Sequence, residues 1–178
     1  MGAPFRVEHL PADKEKISRG TYIVLFHASR IPPHLLIVHN GKTWDLSVNG
    51  NRIGESIDIL WEYIERKKVA CLFLEWKSGA SQFENILDRN FSSYKKIEAG
   101  KTSCLFPIRD VAAELHGKEL NDCEFVFELL PALFDRNVLG ECYSTNINRA
   151  SFELLSYDRQ QLEESIRQAE NRNSNVNL

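Results

Sequence analysis

Apolar positions along the chain fall into short blocks whose spacing separates strands from helices. Thr21 to His27 reads Thr-Tyr-Ile-Val-Leu-Phe-His, a continuous β-branched and aromatic run that predicts a buried strand. Pro32-Pro33 cannot donate to a sheet, so His34 to His39 and Lys42 to Val48 are read as two further strands around Asn40-Gly41. That dipeptide is a strong hairpin signal, because a type I′ turn needs positive φ at both central residues. Asn49-Gly50-Asn51 reads as a second turn. Beyond it Ile53, Ile57, Leu60, Trp61 and Ile64 recur at helical spacing and predict a helix over Glu55 to Lys68 with one apolar face.

Val69 to Trp76 is a short apolar strand, and Ser81 to Phe91 a helix with Phe83, Ile86 and Leu87 inward. After a loop over 92–103, another helix runs to Leu115 and stops at His116-Gly117, where glycine suits a left-handed cap. Glu124 to Phe127 reads as a strand followed by a turn of helix, and Cys142 to Ile147 as another short strand. Asp158 to Glu170 reads as a helix opened by a capping box of Asp158 and Gln161. The order of these elements predicts an α+β fold, an antiparallel sheet with packed helices. Residues 1–20 are expected to form an N-terminal arm, 21–170 a single α+β domain and 171–178, poor in apolar residues, a disordered tail.

Composition narrows the function. At 178 residues, 43% hydrophobic and 26% charged, the chain suits one globular domain. A net charge of −3 supplies no footprint for nucleic acid. No apolar run reaches signal-peptide or transmembrane length, so a cytoplasmic location without integral membrane association is expected. Met1-Gly2 does not open a myristoylation site, since residue 6 is Arg. Cys71, Cys104, Cys123 and Cys142 form no C-x-x-C pair, which excludes a zinc ribbon and predicts reduced thiols.

Counting outward from Asn40-Gly41 pairs His39 with Lys42 and Leu36 with Asp45, and places Ser47 opposite His34. Strand side chains alternate faces, so His34, Leu36 and Val38 share a face with Thr43, Asp45 and Ser47. A carboxylate or hydroxyl within cross-strand reach would fix the tautomer of His34, as a general base requires. The plainer reading is a histidine that starts an edge after two prolines. Cys104 precedes a helix, where the dipole and free amides favour a thiolate, with Thr102 or Ser103 as candidate caps. Pro107 disfavours helical geometry at Phe106 and shifts Cys104 to just before the first turn; the plainer reading is a buried structural thiol. Gly100-Lys101-Thr102 is not a P-loop, because Lys95 stands where the motif needs glycine. A zinc site from His27, His34 and His39 fails on parity, since His34 and His39 point to opposite faces.

Taken together, the order of parts resembles the circularly permuted papain-like superfamily, which includes permuted NlpC-type peptidases, lecithin–retinol acyltransferase relatives and desumoylating isopeptidases. The counterparts are His34-Leu35-Leu36-Ile37-Val38, then Asn40-Gly41-Lys42-Thr43-Trp44-Asp45-Leu46-Ser47, and much later Tyr94 and Cys104 before a helix, covering roughly residues 21–117. Bulky leucines after His34 and Pro107 after Cys104 depart from the pattern. The resemblance implies thiol chemistry: Cys104 attacks an amide or thioester carbonyl, His34 takes the thiol proton, and Asp45 or Ser47 orients the imidazole. It implies a peptide or acyl substrate and no cofactor or metal. The alternative is a non-catalytic module that binds a protein partner. The two readings part on whether His34 and Cys104 meet in space.

Overall fold

The buried run Thr21–Phe26 is the middle strand of a seven-stranded sheet in this computed structural model, which describes residues 4–174. The chain begins with Phe5–Glu8 (β1), Leu10–Pro11 (β2) and the helix Lys14–Ser18 (α1), and Thr21–Phe26 is β3. His34–His39 (β4), Lys42–Ser47 (β5) and Gly50–Ser56 (β6) follow, then the helix Ile57–Lys67 (α2) and Cys71–Trp76 (β7). Two helices come next, Phe83–Ser92 (α3) and Leu105–His116 (α4), then a 3₁₀ turn at Lys118–Asp122 and the helix Val126–Asp135 (α5). Leu139–Thr145 (β8), Ser151–Leu154 (β9) and Arg159–Ser174 (α6) complete the described chain.

The strand order is β2-β8-β7-β3-β4-β5-β6, and β1 pairs with β9 in a separate two-stranded sheet. The fold is α+β. The large sheet is mixed rather than purely antiparallel, because β2 joins β8 in parallel. Helices cover both faces. Ile23, Leu25, Leu35, Ile37, Leu72 and Leu74 pack toward α3, α4 and α5. Tyr22, Val24, Leu36, Val38 and Phe73 pack toward Ile17 of α1 and Ile57, Trp61 and Ile64 of α2. A strand buried on both sides has no polar face, which is why β3 reads as an unbroken apolar run.

Several elements differ from their sequence pattern. Residues 50–56 form β6, with Ile53 opposite Trp44, and α2 starts only at Ile57, where the Ser56 hydroxyl accepts the Asp58 N–H. The helical spacing of Ile53 with Ile57 spans a strand–helix junction. Residues 126–135 form one helix that runs through Pro131, because Val126, Leu129, Leu130 and Leu133 all bury on one face. Residues 5–18, expected as an irregular arm, carry β1, β2 and α1, and Ile17 is fully buried. The α6 helix opens with the reciprocal Asp158–Gln161 bonds and extends through Ser174. Of the expected tail, 171–174 are therefore helical and 175–178 lie outside the described residues, as does Met1-Gly2. Gly117 ends α4 at φ 133° and ψ 134°, a glycine conformation but not the left-handed helical one. Among the described residues no helix is long and apolar enough to cross a membrane.

The β4–β5 hairpin sets the register that matters for the site. Asn40 and Gly41 have φ of 46° and 77°, and the pairs His39–Lys42 and Leu36–Asp45 follow. A Cβ at Gly41 would meet no atom closer than 3.6 Å, so its penalty is backbone strain alone. Gly41→Ala should therefore cost about 1–2 kcal/mol. Urea unfolding would show a lower midpoint at unchanged slope, and an unchanged midpoint would contradict this account.

Candidate active site

His34 is the first residue of β4, at the end of the sheet, so its ring can reach past the strand. Asp45 lies opposite Leu36 on β5 and hence diagonal to His34 on the same face. The contact forms: His34 Nε2 donates to Asp45 Oδ1 at 2.6 Å, with the side chains 28% and 16% exposed. This leaves Nδ1 as the ring nitrogen not committed to Asp45.

Cys104 reaches the same place from the opposite layer. It occupies the N-cap position of α4, whose Leu105, Ile108, Val111 and Ala112 are buried against the other face of the sheet. Pro107 is the third residue of this helix, where the N–H it lacks would have no intrahelical partner. Of the two expected caps, Ser103 takes the role: its hydroxyl accepts the Leu105 N–H at 3.3 Å. Thr102 instead clasps the preceding loop, accepting the Glu98 N–H and donating to the Lys96 carbonyl, both at 2.8 Å. The loop is tied to the hairpin by the Ile97 N–H, which donates to the Ser47 carbonyl at 2.9 Å. Leu46, Ile97 and Ile166 bury together beneath it, with Cys104 packed alongside.

Cys104 and His34 thereby line one cleft. Burial of the imidazole opposes its protonation, but the Asp45 carboxylate and the Cys104 sulfur outweigh it and raise the His34 pKa well above 6.5. Its protonated form stabilises the fold fully below pH 6.5, and that contribution is lost as pH rises through the raised value. Ser47 does not share the orienting role. Its hydroxyl donates to the Gly50 carbonyl and accepts the Asn49 N–H, so it serves the β5–β6 turn.

The other cysteines differ in setting. Burial pushes the thiols of Cys71 and Cys142 up to about 12, and burial with Glu128 nearby also raises Cys123. The histidines do not converge either. His39 bonds Thr21 Oγ1 at 2.6 Å and packs on Phe83 with ring centroids 4.9 Å apart, on the α3 side of the sheet. Among the described residues no three His, Cys, Asp or Glu side chains are placed to hold a metal ion. No family model, curated protein or solved structure matches the chain. The site stands on its own geometry.

That geometry includes residues with no signal in the one-dimensional pattern. Cys104, His34 and Asp45 border a cleft of about 300 Å³ walled by Phe26, Leu105, Tyr157, Leu162 and Ile166. Tyr157 is 9% exposed, and its hydroxyl pKa is raised, first by burial and then by the Cys104 sulfur. His27 also lines the cleft, with its pKa pushed down to about 4 by burial first and then by Arg30, His34 and Arg172. Tyr157 lies 53 residues beyond Cys104 in sequence and reaches it only through the packing of 125–157, so spacing could not find it. In an NMR titration of the histidine rings, His34 should titrate well above 6.5, and Asp45→Asn should bring its midpoint down. An unmoved midpoint would mean that the carboxylate does not hold the imidazolium.

Proposed function

We propose that the protein is a cysteine hydrolase or acyltransferase acting on an amide or thioester bond. The observation that carries this reading is the meeting of Cys104, His34 and Asp45 in one cleft, from separate layers of the fold. A thiol at a helix start beside an imidazolium is in the setting that favours a nucleophilic thiolate.

In this mechanism the thiol proton already resides on the His34 nitrogen that Asp45 does not hold, and the Cys104 sulfur attacks the acyl carbonyl. A carbon–sulfur bond forms, and the oxyanion takes a hydrogen bond from the hydroxyl of Tyr157, which lines the same cleft as Cys104. As the intermediate collapses, the bond to the leaving amine or thiol breaks and His34 returns its proton to that group. Water or an acceptor amine then attacks the thioester, with His34 again taking the proton, and Cys104 is regenerated. Asp45 positions the ring and stabilises its charge without touching the substrate. The order of parts, a histidine strand, a tight hairpin and a later cysteine at a helix start, also supports kinship with the permuted papain-like superfamily. Among the described residues all four cysteines are free, which suits a reducing compartment such as the cytoplasm.

Two measurements test the reading. Chloroacetamide at neutral pH should label Cys104 ahead of Cys71, Cys123 and Cys142, and His34→Ala should slow that labelling. With a peptide thioester as substrate, Cys104→Ser should abolish turnover, and His34→Ala should lower kcat/KM by roughly 10²–10⁴-fold. Tyr157→Phe should lower kcat by roughly 10²–10³-fold with little change in KM. A Cys104 no more reactive than the other thiols, or equally reactive without His34, would return the protein to the non-catalytic reading.

A further inference from the structure

The cleft at Cys104 does not end there. A second hollow of about 690 Å³ adjoins it at Arg30 and Pro33, which line both, and an extended ligand at Cys104 would lie along this groove of two hollows. Their linings differ in chemistry. On the Cys104 side, Phe26, Leu162 and Ile166 offer an apolar wall sized for a side chain. The second hollow mixes Ser29, Asn146, Asn148 and Ser151, whose amides and hydroxyls suit a peptide backbone, with apolar Ile31, Phe152 and Leu155, which suit its side chains.

The charge of the groove opposes that of the chain. The protein carries −3 overall, yet five arginines line the groove, Arg6, Arg30, Arg52, Arg149 and Arg172, against the carboxylates of Asp45, Glu124 and Glu153. Each of these carboxylates is engaged: Asp45 with His34 at 2.6 Å, Glu124 with Arg159 at 2.7 Å and Glu153 with Arg6 at 2.5 Å. Among the described residues Arg30, Arg52, Arg149 and Arg172 are in no ion pair. Arg30 and Arg172 line the same cleft as Cys104, together with His27. A guanidinium fork matches a carboxylate with two parallel hydrogen bonds, so such a groove selects anionic groups.

We infer that the groove takes an acidic polypeptide segment, with its carboxylates on Arg30, Arg149 and Arg172 and the acyl group to be transferred at Cys104. The inference rests on the thiol-acyl reading of the site and names its substrate class.

The test uses the full chain carrying Cys104→Ser and three fluorescent peptides of one length: Glu-rich, the same with Gln for Glu, and the same with Lys for Glu. Fluorescence anisotropy should give the Glu-rich peptide roughly tenfold or greater preference, weakening as salt is raised. Arg30→Gln with Arg149→Gln should weaken that binding by roughly tenfold at an unchanged melting temperature, since both side chains are exposed. Equal binding of the three peptides, no binding of any, or indifference to the double substitution overturns the inference. Phosphatidylserine vesicles form a further arm: binding to them but not to the Glu-rich peptide overturns it in favour of a lipid surface. Thiol labelling of the Cys104-containing protein separates the two levels. A reactive Cys104 without a preference for Glu sinks the substrate class alone. A preference for Glu with an inert Cys104 sinks the catalytic reading and keeps the groove as a site for acidic segments.

Discussion

Two consecutive residues with positive φ, Asn40 and Gly41, lock the pairing of β4 with β5, and the candidate site inherits that register. A slip of one residue would move Asp45 to the opposite face of the sheet. His34 would then lose its 2.6 Å partner, and with it the carboxylate that offsets the burial of its charge. The same slip would turn Trp44 out of the layer it shares with Phe83, Leu87 and Phe91 of α3. Register and core therefore enforce each other. The hydrogen bond at the site is held by the packing of the whole sheet rather than by its own modest strength.

A second constraint brings the thiol to the histidine. His34 shares its face with the α2 layer, whereas Cys104 begins a helix buried in the α3–α5 layer. Packing within either layer alone would keep them apart. They meet because both lie at the same end of the sheet and because the loop before Cys104 is fastened there. The Ile97–Ser47 backbone bond anchors that loop to β5, and the Thr102 clasp fixes the stretch between Ile97 and Cys104. Ser47 thus contributes through its carbonyl, while its hydroxyl is spent on the neighbouring turn.

Electrostatics at the site follows from this geometry. Burial lowers the pKa of an imidazole, yet at His34 the Asp45 carboxylate and the Cys104 sulfur outweigh it and raise the value well above 6.5. His27, in the same cleft, has its pKa pushed down to about 4 by burial first and then by Arg30, His34 and Arg172. Two histidines in one cleft are thereby driven in opposite directions by their neighbours. That separation distinguishes a proton-carrying ring from one that serves only as lining.

Local chemistry in the sequence determined the hairpin, its register and the shared face of His34 and Asp45, because turn preference and strand parity act over a few residues. It equally determined the capping box of α6 and the continuous apolar run of a strand buried on both faces. Other features were decided only by the folded chain. Ile53 joined a strand, because the spacing that placed it on a helix is blind to the junction at Ser56. Pro131 stayed within α5, because burial of Leu129, Leu130 and Leu133 outweighs one lost backbone bond. Residues 5–18 acquired structure by pairing with β8 and β9, more than a hundred residues away in the chain. The approach of Cys104 to His34, the choice of Asp45 over Ser47, and the arrival of Tyr157 and the unpaired arginines belong to the same class. Each depends on contacts between distant segments, and no spacing along the chain encodes such a contact until the core that enforces it has formed.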